Sequence, residues 1–274
     1  MLDYGLVLEG GGLRGLYTSG VIDAFLEKGI EFQLVIGVSA GAGYGCSLVS
    51  RQHGRNLRIL KEFRNDPRYL SFSSYIKTGN YFGIDFIYDE IPKTIPFDTE
   101  VFLTSPTRFI TVCSNVETGK PEYFDKDEHI IKVLKASSSI PFMCKIVKHK
   151  GKKLMDGGIT DAIPLKKSIE LGCSKNVVVL THPEGFRRKN RFHPSMLFYF
   201  RYPKFARAIN SYVARYNKNL EFVEEEAKKG KIILIRPSKD LNVTRTESDL
   251  AKLERLYELG KSDAIAALSN LCDM

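Results

Sequence analysis

No stretch of the 274-residue chain is long and apolar enough to span a bilayer; the longest apolar runs, at 32–38 and 177–180, are strand-sized. Asp3 and Glu9 interrupt the start, and three glycines follow at 10–12. No cleavable signal is therefore expected, and the expected compartment is the cytoplasm. Cysteine is sparse. Cys46, Cys113, Cys144, Cys173 and Cys272 are odd in number, widely spaced and free of any C-x-x-C, which argues against a disulfide framework or a zinc knuckle and for reduced thiols. The bias of a disordered chain is also missing, since 43% hydrophobic and 27% charged residues make an ordinary globular composition. The absence of G-x-x-x-x-G-K-[ST] excludes a P-loop.

Acidic residues are absent from 187–218, while Arg187, Arg188, Lys189, Arg191, Arg201, Lys204, Arg207, Arg215 and Lys218 all fall there. The net charge of +9 thus resides formally in this one segment. Phe192, Phe198, Tyr199, Phe200, Tyr202, Phe205, Tyr212 and Tyr216 are interleaved with the cations. A basic, aromatic stretch suits an anionic membrane surface or a nucleic acid. The competing reading is a helix pair that buries its aromatics and solvates its cations. No nucleic-acid recognition motif accompanies the charge, so nucleic acid is not expected as a partner.

The opening reads as a strand at 4–9, a glycine turn, a helix over 16–28 closed by Gly29, a strand at 32–37 and a small-residue helix from 39 to 49. This β-α-β-α start predicts an α/β fold with a mostly parallel central sheet and right-handed crossovers. A short helix is expected at 55–64, then an irregular aromatic cover over 66–106 with one helix near 84–91. Next come a buried strand at 109–114, a helix over 125–136 with Asp125 near its cap, and a hairpin at 145–153 turning at Lys150-Gly151. A helix at 164–171, a strand at 176–181, one long helix over 205–229, a strand at 231–236 and an amphipathic helix at 247–269 complete the chain. A single domain over 1–274 is expected, with a core at about 4–181 and a mostly helical extension over about 185–274.

Gly37-Val38-Ser39-Ala40-Gly41 fits G-x-S-x-G between a predicted strand and a predicted helix, the context in which a serine is held on a tight turn as a nucleophile. Gly10-Gly11-Gly12-Leu13-Arg14-Gly15 lies on the neighbouring strand–helix turn, where glycine amides converge on one point and Arg14 adds a cation. Both turns belong to the edge of the sheet at which open α/β folds bind ligands. Gly10, Gly12 and Gly15 also fit G-x-G-x-x-G, so a dinucleotide site is a rival. That reading requires an acid at the end of the second strand, where Gly37-Val38-Ser39 stands instead. Among the histidines, His53, His129, His149, His182 and His193, only His182 follows a predicted strand in a place suited to a triad. Asp156, in Asp156-Gly157-Gly158, is the better base, because the two glycines let the backbone turn and bring the carboxylate to another loop.

The ordered set G-G-G-x-R-G, G-x-S-x-G and D-G-G resembles the patatin-like phospholipase family. Lys135-Ala136-Ser137-Ser138-Ser139-Ile140-Pro141 and Ile163-Pro164 are further matches, and the likeness is clear over about 4–181. The tail, with Arg236-Pro237-Ser238 and Leu256-Tyr257-Glu258-Leu259-Gly260, looks like a bacterial branch of that family. The resemblance implies a three-layer α/β/α fold and a lipid acyl hydrolase with a Ser39–Asp156 dyad. Gly10, Gly11, Gly12 and Arg14 would stabilise the oxyanion, with Gly37, Gly41, Gly157 and Gly158 as motif glycines. It implies neither a metal nor a cofactor. The expected partners are a lipid or acyl-ester substrate and, through 187–218, the inner face of an anionic membrane. The alternative is a non-catalytic lipid- or nucleotide-binding module on the same fold.

Overall fold

The computed structural model describes residues 2–71, 74–76, 79–189 and 194–272. Strands β1 (Leu2–Leu8), β2 (Phe32–Val38), β3 (Arg108–Asn115), β4 (Pro121–Asp125), β5 (Val147–His149), β6 (Lys152–Asp156), β7 (Asn176–Val179) and β8 (Ile232–Ile235) form one eight-stranded sheet, linked in the order β5-β6-β3-β2-β1-β7-β8 with β4 on β3. The run β3-β2-β1-β7-β8 is parallel throughout, as the βα alternation predicts, and β4, β5 and β6 are antiparallel. The helices used below are α1 (Leu16–Glu27), α2 (Ala40–Val49), α3 (Arg55–Phe63), α4 (Thr99–Thr104), α5 (Ile130–Ser137), α6 (Leu165–Glu170), α7 (Pro203–Asn210), α8 (Tyr212–Lys228) and α9 (Leu250–Cys272).

The central strands are apolar over most of their length because both faces of the sheet are covered. Leu6, Leu8, Val35, Val177 and Val179 point into one core with α1, α2 and α9, whereas Val7, Leu34, Ile36, Val38 and Val178 point into the other with α6 and α8. The tail helix belongs to the first of these cores. It crosses α1 antiparallel, and both helices carry the pattern Tyr-x-x-Gly-x-x-Asp. Tyr17 Oη donates to Asp263 at 2.9 Å and Tyr257 Oη donates to Asp23 at 2.8 Å. Gly20 and Gly260 meet the opposing backbones so closely that an added Cβ would stand 2.0 Å from Tyr257 O or 2.1 Å from Tyr17 O.

Two expected elements differ. The helix expected from Asp125 starts only at Ile130; Asp125 instead ends β4, paired opposite Ile110, where Arg108 forms an ion pair with it. The single helix expected over 205–229 is two, because Ser211 leaves the helical path between α7 and α8 and its hydroxyl donates to the Arg207 carbonyl at 2.9 Å. The cover over 66–106 carries a π-helical turn at Phe86–Glu90, a short helix at Ile91–Thr94 and α4, more helix than its prolines and glycines suggested.

Candidate active site

Strand register brings Ser39 and Asp156 together. At Ile110 one edge of β3 faces β4 and the other faces β2, whose last residue, Val38, pairs with Val112. At Cys113, the next position, β4 still occupies its own edge, so β6 takes up the edge that β2 has left, with Asp156 opposite Cys113. The end of β2 and the end of β6 therefore abut. Ser39 Oγ donates to Asp156 Oδ2 at 2.7 Å, across 117 positions of sequence.

Ser39 sits between β2 and α2 at φ 53°, ψ −123°, a conformation costly for a residue with a side chain. The turn is forced by close packing. A Cβ at Gly37 would lie 2.6 Å from Ala42 Cα, and one at Gly41 would lie 2.6 Å from the Leu8 and Glu9 carbonyl oxygens. Ser137 fixes the same turn from outside: the Ser39 N–H donates to Ser137 Oγ at 2.8 Å, and Ser137 Oγ donates to Val112 O at 2.6 Å. Ser139 O accepts the Asp156 N–H at 2.9 Å, so the segment 135–141 ties the two motifs together.

Asp156 Oδ1 accepts from the Gly158 N–H at 2.8 Å, leaving Oδ2 for Ser39. Gly157 is required by contact with β3, since a Cβ there would lie 2.2 Å from Val112 O. Burial raises the Asp156 carboxyl above the usual aspartate range, and hydrogen bonds from Ser39 and Gly158 and the charges of Arg245 and Arg188 pull it partly back. A hydroxyl held against a buried, proton-avid carboxylate is arranged for proton transfer.

Ser39 borders two cavities. One, of about 130 Å³, is mainly apolar, with Leu13, Tyr44, Tyr69, Phe82, Ile84 and Tyr88 in its wall. The aromatic cover thus supplies much of that wall. The other, of about 330 Å³, is lined by Gly10, Gly11, Gly12, Asp156, Arg188 and Arg245 among others. Among the described residues, the amides of Gly10, Gly11 and Gly12 donate to no other group of the chain. The Arg14 side chain does not line either cavity; it lies behind the glycine turn, close enough to Arg188 and Arg245 to feel their charge. His182 is not bonded to Ser39 or Asp156. Its ring stacks on Phe186 at 3.5 Å, and burial with the charges of Arg14, Arg188 and Arg245 lowers its pKa to about 2.

Arg188 and Arg245 approach the site from segments remote in sequence and were not singled out for it by any local pattern. The motif glycines 37, 41, 157 and 158 are where the three-motif reading places them, around the Ser39–Asp156 contact. Arg191, Phe192 and His193 lie outside the described residues.

The profile of a family described as patatin-like phospholipase matches residues 6–168, and that of a domain of unknown function, DUF6363, matches 202–274. The chain is 28% identical over 269 residues to the uncharacterized protein YjjU of Escherichia coli (strain K12), an alignment covering 93% of this chain and 74% of that one. Lysophospholipase nte1 of Aspergillus fumigatus is 26% identical over 178 residues, which is 61% of this chain and 11% of that much longer protein. The solved structure of VipD from Legionella pneumophila has a TM-score of 0.54 at 16% identity, over 97% of this chain and 67% of that one, a likeness of fold.

Proposed function

The chain belongs to the patatin-like phospholipase family, and we propose that it is a carboxylic ester hydrolase that cleaves lipid acyl esters through a Ser39–Asp156 dyad. The observation that carries this reading is the 2.7 Å hydrogen bond between Ser39 Oγ and Asp156 Oδ2 at the junction of an apolar cavity and an arginine-bearing one. The acyl chain occupies the apolar cavity with its carbonyl at Ser39. Ser39 Oγ attacks the carbonyl carbon as its proton passes to Asp156. The unpartnered amides of Gly10, Gly11 and Gly12 receive the oxyanion, with the charge of Arg14 behind them. Asp156 returns the proton to the leaving alcohol, then takes one from the water that attacks the acyl-serine. The acid leaves and Ser39 is restored. Every proton in this cycle passes through Asp156, so a histidine is not needed.

The test is release of fatty acid from phospholipid, or of p-nitrophenol from an acyl ester, by wild type and Ser39→Ala. The variant is expected to lose at least about 10⁴-fold in kcat, the scale seen when one member of a catalytic unit is removed. Equal activity in the variant would remove Ser39 from the mechanism. A fluorophosphonate probe should label Ser39 in wild type alone; absence of labelling in a protein that still binds lipid favours a non-catalytic module.

We further propose that the protein meets anionic membrane through part of 187–218. Tyr199, Phe205 and Tyr216 are buried, whereas Met196, Leu197, Phe198 and Phe200 are 49–74% exposed. Arg201, Lys204 and Arg207 stand exposed beside them, and among the described residues none pairs with a carboxylate. Phe198 packs edge-on against Phe142 at 5.3 Å, and Phe142 lines the arginine-bearing cavity, next to the site.

A further inference from the structure

The arginine-bearing cavity holds more positive charge than the ester chemistry consumes. Arg188 and Arg245 line it from opposite parts of the tail, and Arg14 stands behind its glycine wall. Burial, with the neighbouring charges of Arg245 and Arg188, lowers the Arg14 guanidinium to about 10, so the three cations are close enough to oppose one another. Two carboxylates stand near these three cations, and both are already engaged: Asp156 bonds Ser39 through Oδ2 and the Gly158 N–H through Oδ1. Glu9 is fully buried, but its Oε2 already accepts from the Thr181 N–H at 2.7 Å and the Thr181 hydroxyl at 3.0 Å, and its Oε1 accepts from Tyr216 Oη at 2.7 Å. Arg188 Nη2 remains 3.8 Å from Glu9 Oε1. The Nε atoms of Arg14 and Arg188 are buried without a hydrogen-bond partner, and among the described residues Arg245 has no ion pair. These guanidinium groups are half-buried and short of partners, an arrangement that costs stability and that an anion from outside the chain would complete.

The two lining arginines are also held in place. The Arg188 main chain is clamped on both sides by Asn217, whose Oδ1 accepts from the Arg188 N–H at 2.9 Å and whose Nδ2 donates to the Arg188 carbonyl at 3.0 Å. Its guanidinium lies 4.0 Å from the Tyr216 ring centroid, a stacked seat that keeps the group flat. Arg245 is fastened to the glycine turn: its carbonyl accepts the Leu13 N–H at 3.0 Å, and its Cγ lies 2.5 Å from where a Cβ on Gly12 would be. Guanidinium forks arranged around one space match a group with several equivalent oxygens, and a phosphate, unlike a single carboxylate, has enough oxygens for both.

We propose that Arg188 and Arg245 form a phosphate subsite that takes the phosphate of the substrate's head group while the acyl chain occupies the apolar cavity. The inference rests on the acyl-hydrolase reading for the placement of the carbonyl between them, at Ser39. It makes the leaving alcohol a phosphate-bearing one, and it gives the C-terminal part of the chain a role in choosing substrate. Arg14 acts through the glycine wall as a positioning residue. The uncharged His182 ring adds no competing positive charge and presents no obstacle to an anion.

The experiment compares two substrates of one acyl chain, lysophosphatidylglycerol and monoacylglycerol, below their critical micelle concentrations so that surface binding does not enter. The proteins are wild type, Arg245→Gln, Arg245→Lys and Arg188→Gln, each checked by Tm. Wild type is expected to prefer the phosphate-bearing substrate. Each glutamine variant should lower the ratio of the two kcat/KM values about tenfold, mainly through KM, as expected for loss of one charge-assisted hydrogen-bonding pair. Arg245→Lys, which keeps the charge and loses the fork, should fall between. Binding of inorganic phosphate by calorimetry should weaken in the same variants. Phosphate binding that depends on both arginines without any substrate preference would assign the subsite to a free phosphate and overturn its role in head-group selection. An unchanged ratio together with unchanged phosphate binding would overturn the subsite itself. If wild type cleaves neither substrate while phosphate still binds through Arg188 and Arg245, the hydrolase reading fails and the anion subsite stands.

Discussion

At the scale of single residues, the site is built from groups that cost stability. Ser39 holds a positive φ, and Asp156 is buried with its carboxyl raised by desolvation. The direction of that shift fixes two pH effects. In the proposed mechanism Asp156 must be ionised to accept the Ser39 proton, so kcat/KM is expected to fall as pH drops through its folded pKa. That loss should begin above ~3.9, the value of a free aspartate. Stability moves the other way. Between the unfolded and the raised folded pKa the native state binds the extra proton, so this group's contribution declines as pH rises through that window. Asp156→Asn removes the buried charge and keeps an acceptor for Gly158. It is expected to lose about 10⁴-fold in kcat while its Tm at pH 8 equals or exceeds that of wild type. A Tm well below wild type, measured by calorimetry, would mean that the ionised carboxylate holds the fold together. The Ser39–Asp156 contact was legible because each part is written in a short motif of glycines and one reactive residue. Arg188 and Arg245 were not, since single arginines in coil carry no spacing that marks them; the charge excess of 187–218 singled out Arg188 only as surface charge. Ser137 was visible only as part of a matched heptapeptide, and its bond to the Ser39 amide is a tertiary fact.

At the scale of elements, pattern reading succeeded where periodicity and punctuation agreed and failed where a neighbour decided. The central strands and α1 carry both signals. Asp125 reads as lying near a helix cap, and no element is expected at 121–124, yet β3 pairs with 121–125 as a strand. The helical period runs through 205–229 without interruption, and only the Ser211 hydroxyl, bonding back to Arg207, shows where it breaks. The α1–α9 crossing is the clearest case of an element interaction that one helix alone cannot reveal. Its repeated Tyr-x-x-Gly-x-x-Asp places each tyrosine on the other helix's aspartate, with the two glycines at the contact. Because Cβ atoms at 20 and 260 would overlap opposing carbonyls, Gly20→Ala or Gly260→Ala must push the helices apart. The expected cost is at least about 1–3 kcal/mol, read as a fall in Tm of ~2–4 °C for each kcal/mol in a chain of this size. An unchanged Tm would show that the crossing adjusts without loss. Asp23, buried and raised by desolvation, accepts from Tyr257 and from the Gly54 N–H, so displacement would also strip partners from a buried carboxyl.

At the scale of the whole molecule, the formal charge excess of 187–218 divides once the chain is folded. Arg187 pairs with Glu224, Arg188 turns inward to the cavity, and Arg215 donates to the Ile159 and Ala208 carbonyls. Arg201, Lys204 and Arg207 stay exposed without a carboxylate partner among the described residues, next to Met196, Leu197, Phe198 and Phe200. Near an anionic leaflet each such cation contributes about 1 kcal/mol, and each apolar side chain that leaves water adds roughly 1.5–3 kcal/mol when fully buried. Over four apolar side chains and three cations the apolar contribution is the larger, so the platform should bind by itself and the cations should strengthen binding to an anionic surface. Wild type is expected to co-sediment with vesicles containing phosphatidylglycerol, less with pure phosphatidylcholine, and less again as salt rises, because screening acts on the exposed cations. Leu197→Asp with Phe200→Asp should abolish sedimentation on both lipids. Replacing Arg201, Lys204 and Arg207 by Gln should leave only the weaker, salt-independent part. Binding that ignored both lipid charge and ionic strength would assign the platform to another partner, because among the described residues these three cations have no carboxylate of their own to neutralise them.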